Sequence, residues 1–155
     1  MPAVSARLDD AVPTGLGRVT VASYLAQPGL AIETETHEIR AARQHLWAEP
    51  LEDGLRRFLR NEISKALGYD VGADLTQQRR WERTVDVTVD RMHGDLEGQA
   101  RLVAQWRVTP KGGDPSTYSF AATQPLPREG YPGLVDAEIA LARQLAGAIA
   151  ESLAN

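Results

Sequence analysis

The spacing of apolar positions changes period along the chain, and each change marks an element. Leu51, Leu55, Phe58, Leu59, Ile63, Ala66 and Leu67 recur three and four residues apart, with Arg56, Arg57, Arg60, Glu62 and Lys65 on the other side. This predicts an amphipathic helix running from Pro50 to Leu67. Pro50 suits the first helical position, where a missing N–H costs nothing; Glu52 and Asp53 lie near the positive end of the helix dipole, and Gly68 stops the helix. In "TVDVTVDRM" the period becomes two, with Val85, Val87 and Val89 on one face and Asp86, Thr88 and Asp90 on the other. "HGDLEG" then turns the chain. Ala100, Leu102, Ala104, Trp106 and Val108 alternate again, which predicts an antiparallel hairpin. "KGGDPS" makes a second turn, Thr117 to Ala122 a shorter strand, and the meander ends at "QPLPREGYPG". Helical spacing returns from Leu134 to Leu153 through Leu134, Val135, Leu141, Leu145, Ala148, Ile149 and Leu153, with many alanines that allow close packing.

The N-terminal third is less regular. Val4 to Leu8 reads as a short first strand, and the turn-rich "DDAVPTGLG" after it as a connection. Val19 and Val21 predict a buried strand over Arg18 to Ala22, which the Pro-Gly of "AQPGL" breaks. Ile32 to Ala42 reads as extended, with a helical alternative open for "HEIRAARQ", and "DVGADLTQQRR" as a polar loop. The expected fold is an α/β single domain of α+β character over residues 1–155, with 1–17 partly irregular. Its mixed β-sheet of about five strands carries a C-terminal antiparallel meander and is covered by two long helices. A chain of 155 residues can bury roughly two thirds of its unfolded surface without a disulfide or metal.

Composition narrows the function classes. With 43% apolar and 25% charged residues and a formal charge of −4, the chain is an ordinary globular one without the basic surface that a nucleic-acid partner requires. Cysteine is absent, which removes disulfides, thiolate catalysis and cysteine-ligated zinc. "MPAVSARLDDAV" shows no basic region followed by an apolar one, so no signal peptide is expected in this sequence. Arg143, Gln144 and Glu151 interrupt the most apolar late segment, which therefore reads as a helix of a soluble domain.

Reactive constellations are hard to assemble. His37 and His45 are eight residues apart and His93 falls in a predicted turn, so no metal site is expected. Glu82, Asp86 and Asp90 share a strand face, but alternate residues there are roughly 7 Å apart, and the row reads as a solvated outer surface. Ser5, Ser23, Ser64, Ser116, Ser119 and Ser152 sit in no nucleophile motif. A hydrolase would need the fold to bring a serine, a histidine and an acid together. The glycines of "TGLGRV" precede a strand instead of opening a helix, so no phosphate loop is indicated. "QQRRWERTV" sets Arg79, Arg80 and Arg83 around Trp81 as a nucleic-acid patch would, but a charged loop leading into a strand whose first large residue covers a core edge accounts for it. No catalytic residue and no cofactor is expected.

"RQHLWAEPLEDGLRRFL" places His45, Trp47 and Glu49 on alternate residues before Pro50. In an extended segment the three share one side, as an acid, a base and a binding platform would. Glu49 precedes a proline and so must be extended, at the N-cap of the helix. The helix dipole there lowers a carboxyl pKa, which opposes a general acid. Truncating a buried tryptophan costs about 3 to 5 kcal/mol, enough for Trp47 to act as a core anchor.

Taken in order, "VTVASYLAQPGL", "LWAEPLEDGLRRFLRNEISKALG", "VDVTVDRMHGDLEGQARLVAQWRV" and "EGYPGLVDAEIALARQLAGAIAESL" resemble the auxiliary lipoprotein components of ABC-type transporters, the PqiC-like family. The resemblance runs over nearly the whole chain from Val4. Its most specific part is the Trp47, Glu49, Pro50 and Leu51 join, similar to the family's W-A-E-P-L. It implies an α/β domain with a mixed sheet covered by helices. It further implies a noncatalytic periplasmic lipoprotein on the inner leaflet of the outer membrane, working in lipid transport with an MCE-type substrate-binding protein and its ABC transporter, and able to form a homo-oligomer. The family's signal peptide and lipobox cysteine have no counterpart in this sequence, and its aromatic-Asp-Gly turn appears as Met92, His93 and Gly94. The alternative reading is a small periplasmic lipid-binding carrier with an apolar cavity between the sheet and the two helices, suggested by the alanine-rich last helix.

Overall fold

The computed structural model describes residues 12–22, 29–33, 39–46, 51–94, 98–128 and 130–154, with only the backbone described at 12, 29–33, 39–46 and 131. Its elements are β1 (Val12–Val21), β2 (Gly29–Glu33), β3 (Ile39–Leu46), α1 (Leu51–Leu67), a 3-10 helix (Leu75–Arg80), β4 (Trp81–Gly94), β5 (Gln99–Pro110), β6 (Ser116–Pro125) and α2 (Gly130–Leu153).

β4 organises the sheet, because its 14 residues accommodate two neighbours end to end on one edge. β1 runs parallel to it along Trp81 to Val89, while β2 joins, also parallel, at Gly94 and carries antiparallel β3 outside it. On the other edge β5 and β6 form the expected antiparallel meander. The sheet is mixed, with six strands among the described residues against the about five predicted. Part of the difference is that the predicted extended stretch Ile32 to Ala42 contributes to two antiparallel strands, through Ile32 and Glu33 in one and Ile39 to Ala42 in the other; the predicted strand Val4 to Leu8 lies outside the described residues.

Both helices pack on the face defined by Val85, Val87, Val89, Ala100, Leu102, Ala104 and Trp106, so these residues, Leu16 and Val19 form one core with the helices' apolar stripes. Each of the valines and leucines among them, taken fully from water, contributes about 1.5 to 3 kcal/mol. α1 buries Leu51, Leu55, Leu59 and Ile63, whereas Ala66, expected on the apolar side, is exposed. It ends at Gly68, whose φ of 81° is the left-handed conformation glycine adopts without strain. α2 begins at Gly130, four residues earlier than the apolar spacing indicates, and buries Leu134, Ala137, Leu141, Ala142, Leu145, Ala146, Ile149, Ala150 and Leu153. The two helices meet where the Arg143 guanidinium lies 5.8 Å from the Phe58 ring centroid and pairs with Glu62 at 3.1 Å.

Two expectations are overturned by irregular pairing. The predicted connection "DDAVPTGLG" is strand from Val12 onward, because a bulge between Leu16 and Val19 lets Gly17 and Arg18 together oppose Asp86 while Leu16 and Val19 both face the core. Likewise Met92, His93 and Gly94 are not a turn. β4 bulges between Val89 and Arg91 and continues, pairing these residues with Leu102, Arg101 and Ala100. The polar loop after α1 also contains structure: Val71 is buried, Gly72 bridges to Gly15, and Asp74 caps the 3-10 helix by accepting the Thr76 N–H at 2.9 Å.

Candidate functional site

The polar side chains gather around the β1 bulge, and most of them hold the backbone. Asp86 Oδ1 accepts the Arg18 N–H at 2.8 Å, filling the donor that the bulge takes out of the ladder. A Cβ on Gly17 would collide with that carboxylate. From α1, the Arg56 fork donates to the carbonyls of Leu16 and Ala73 at 2.7 Å and of Gly17 at 2.9 Å, so one guanidinium ties the helix, the bulge and the loop before the 3-10 helix. One turn on, Arg60 donates to the Val71 carbonyl at 2.9 Å, and Ser64 Oγ accepts the Val71 N–H at 3.0 Å. Behind β1, Arg83 Nε donates to buried Thr14 Oγ1 at 2.7 Å, and Thr14 shares a 3.0 Å hydrogen bond with the Tyr69 hydroxyl.

These bonds separate the groups that the sequence places side by side. The acidic row does not converge: Asp86 is committed to the bulge, Glu82 is exposed, and among the described residues no group of three or more His, Asp or Glu could hold a metal ion. The basic-aromatic cluster is likewise dispersed. Trp81 is 3% exposed, its indole filling the space left by Gly15 and Gly72, while Arg83 turns to Thr14, and Arg79 and Arg80 lie on the exposed 3-10 helix.

The serines and histidines also come apart. Ser152 Oγ accepts from Trp106 Nε1 at 3.0 Å and donates to the Ile149 carbonyl at 2.6 Å. Ser116 and Ser119 are exposed on β6, paired with Val108 and Gln105, whereas His93 pairs with Arg101 near the other end of β5. His93 is 3% exposed, and the alternation around Met92 and Gly94 puts it on the sheet face opposite α2, since Leu134 of α2 closes over Gly94. His45 lies in β3. Ser5, Ser23, His37 and the join residues Trp47, Glu49 and Pro50 lie outside the described residues; Leu51, the last of the join, is the buried first residue of α1.

Two features remain. The sheet face opposite the helices carries a shallow groove of about 690 Å3, with Arg18, Thr20, Asp86, Gln105, Arg107 and Thr117 along it. On α2, Glu138 is 2% exposed, and neither carboxyl oxygen has a hydrogen-bond partner among the described residues. Burial pushes its pKa up from 4.5 to about 8. Motif reading passes over Glu138; the available signal is its phase, four residues after Leu134 and three before Leu141, on the apolar stripe.

Comparison with known proteins accords with this geometry. The family model of the ABC-type transport auxiliary lipoprotein component matches residues 1–150. Intermembrane transport lipoprotein PqiC of Escherichia coli (strain K12) is 30% identical over 96 residues, which are 61% of this chain and 50% of that protein. PqiC of Shigella flexneri matches with the same figures, so the alignment spans about half the length of these curated relatives. Among solved structures, the crystal structure of an uncharacterized protein superposes with a TM-score of 0.83 at 26% identity, covering 90% of both chains. Protein XCC0632 from Xanthomonas campestris shares the fold at a TM-score of 0.76 and 13% identity, over 92% of this chain and 84% of that one. With a family model matching nearly end to end, the chain belongs to the ABC-type transport auxiliary lipoprotein components.

Proposed function

We propose that this protein is the noncatalytic auxiliary subunit of an MCE/ABC-type lipid transport system. It works in the periplasm, is held to the inner leaflet of the outer membrane by an N-terminal lipid on the full-length protein, and supports outer-membrane integrity through protein–protein contacts. The observation that carries this reading is the family match over residues 1–150. The site chemistry supports it: Arg56, Arg60, Arg83, Asp86, Ser64 and Ser152 are all spent on internal hydrogen bonds. In this reading the Trp47, Glu49, Pro50 and Leu51 join is a structural device that fixes the entry to α1.

Full-length acylated protein should co-purify with its cognate MCE-type protein, and reproducible absence of any complex would sink the adaptor role. The lipid-carrier alternative predicts stoichiometric lipid in organic extracts of the purified domain. A clean extract is expected instead, because Ala137, Ala142, Ala146 and Ala150 of α2 are buried against their neighbours, and alanines in such positions bring elements close together.

A further inference from the structure

We propose that Glu138 is a proton-dependent latch for α2: the neutral carboxyl lets the first half of the helix sit on the sheet, and losing the proton lifts that half away. The latch is independent of the transport role proposed above, since it follows from packing alone. Its basis is geometric. Glu138 lies on the buried stripe of α2, between Leu134, which closes over Gly94, and Leu141, and both of its oxygens are buried without a hydrogen-bond partner among the described residues. An isolated carboxylate in such surroundings is costly enough that the group takes up a proton instead.

No described charge on the elements packed against α2 rescues the ionised form. The inner face of β5 presents Ala100, Leu102, Ala104 and Trp106, and that of β4 presents Val85, Val87, Val89 and Met92. β6, paired in register with β5, contributes Phe120 and Ala122 beside the phenol of Tyr118 and the amide of Gln124. His93 and Arg101 lie on the other face of the sheet. On α1, Arg56 and Arg60 hold backbone carbonyls, Glu62 is taken by Lys65 and Arg143, and Glu52, Asp53, Arg57 and Lys65 are exposed. On α2 itself Asp136 pairs with Arg128. Desolvation is accordingly the cause that raises the carboxyl to about 8.

The two ends of α2 are held differently. The last turns are pinned by the Trp106–Ser152 hydrogen bond and by Leu145, Ile149 and Leu153, whereas Glu138 lies in the first half. A lifted Glu138 meets water and regains a carboxyl pKa near 4.5. The seated form therefore holds its full advantage below about pH 4.5, loses up to about tenfold per pH unit above that, and loses no more beyond about pH 8.

Hydrogen exchange on the purified protein tests this directly, comparing peptides from 134–145 with peptides from 146–153 at about pH 5.5, 7 and 8.5 after correction for intrinsic rates. The comparison protein is Glu138→Gln, whose side chain has the same shape and stays neutral. The opening constant of the first half, taken as wild type over variant, should rise by roughly tenfold per pH unit and level off near pH 8. Equal pH dependence in the two proteins would overturn the latch. If Glu138→Gln does not fold, Glu138→Met provides the same comparison. Failure of both neutral variants to fold would also overturn it, since a neutral side chain of this size is what the seat is argued to require.

Discussion

A single side chain explains why glycines stand inside a strand that the sequence pattern reads as a turn. The Trp81 indole occupies the volume that a Cβ on Gly15, or on Gly72 bridged to it from the loop after α1, would need, so Gly15 provides space for a ring and not a reversal of the chain. Gly15→Ala should destabilise the protein by about 1 to 3 kcal/mol in urea unfolding, the usual cost of overpacking. In a Trp81→Ala background, which itself costs about 3 to 5 kcal/mol, the same change should cost almost nothing, because the clash has gone. Equal costs in both backgrounds would refute the packing argument. Arg56 is the other residue whose importance exceeds what its position suggests. Pattern reading puts it on the polar side of α1, yet its fork serves three backbone carbonyls. Arg56→Lys keeps the charge but cannot reproduce the fork; a loss of about 2 kcal/mol in thermal unfolding is expected, in line with hydrogen bonds to charged groups.

Among the elements, legibility depended on whether alternation ran unbroken. α1, α2 and the paired stretches Val85 to Val89 and Ala100 to Val108 repeat their apolar residues at a constant period, and the structure has a helix or strand at each, with α2 beginning four residues earlier than the pattern indicates. β1 and the end of β4 each contain a bulge, and a bulge inverts the phase of every residue beyond it. Leu16 is out of step with Val19 and Val21, and Met92 with Val85, Val87 and Val89. With no alternation to set against them, the turn formers of "DDAVPTGLG" point to a connection, and the family resemblance points to a turn at Met92, His93 and Gly94. Polar ties between elements left no periodic trace at all, since Arg83 reaches Thr14 across 69 residues and Trp106 reaches Ser152 across 46. The Trp106–Ser152 tie sets a test for α2. Ser152→Ala leaves a buried indole N–H without its acceptor and should cost about 1 to 3 kcal/mol. Adding Trp106→Phe removes the orphaned donor, so the double variant should lose less stability than the sum of the two single variants. Additive losses would mean that the hydrogen bond does not hold the end of the helix.

For the molecule as a whole, the groups that titrate differently on folding act at opposite ends of the pH scale. The hydrogen bond from Lys65 holds Glu62 below the usual carboxylate range, and the hydroxyl of Thr76 does the same for Asp74. Their contributions are present above the ordinary carboxylate pKa and fade only as the pH falls through the lowered one. Glu138 acts in the reverse sense, its contribution being complete below about pH 4.5 and spent by about pH 8. Stability should therefore fall from about pH 5.5 to about pH 8, by up to about 3 kcal/mol from this one carboxyl. The formal charge of −4 also grows more negative over that range and weakens the compact state by self-repulsion. Salt distinguishes the two effects. At about 1 M NaCl the Debye length is about 3 Å and repulsion between exposed charges is largely screened, whereas the desolvation of a buried carboxylate is not. The two proteins differ only at residue 138, so the difference between wild type and Glu138→Gln isolates this one carboxyl. If Glu138 governs the slope, the difference in urea midpoint between the two proteins widens up to about pH 8 and is unchanged by about 1 M NaCl. If the widening vanishes in salt, the pH dependence belongs to the surface charge and not to the core of α2.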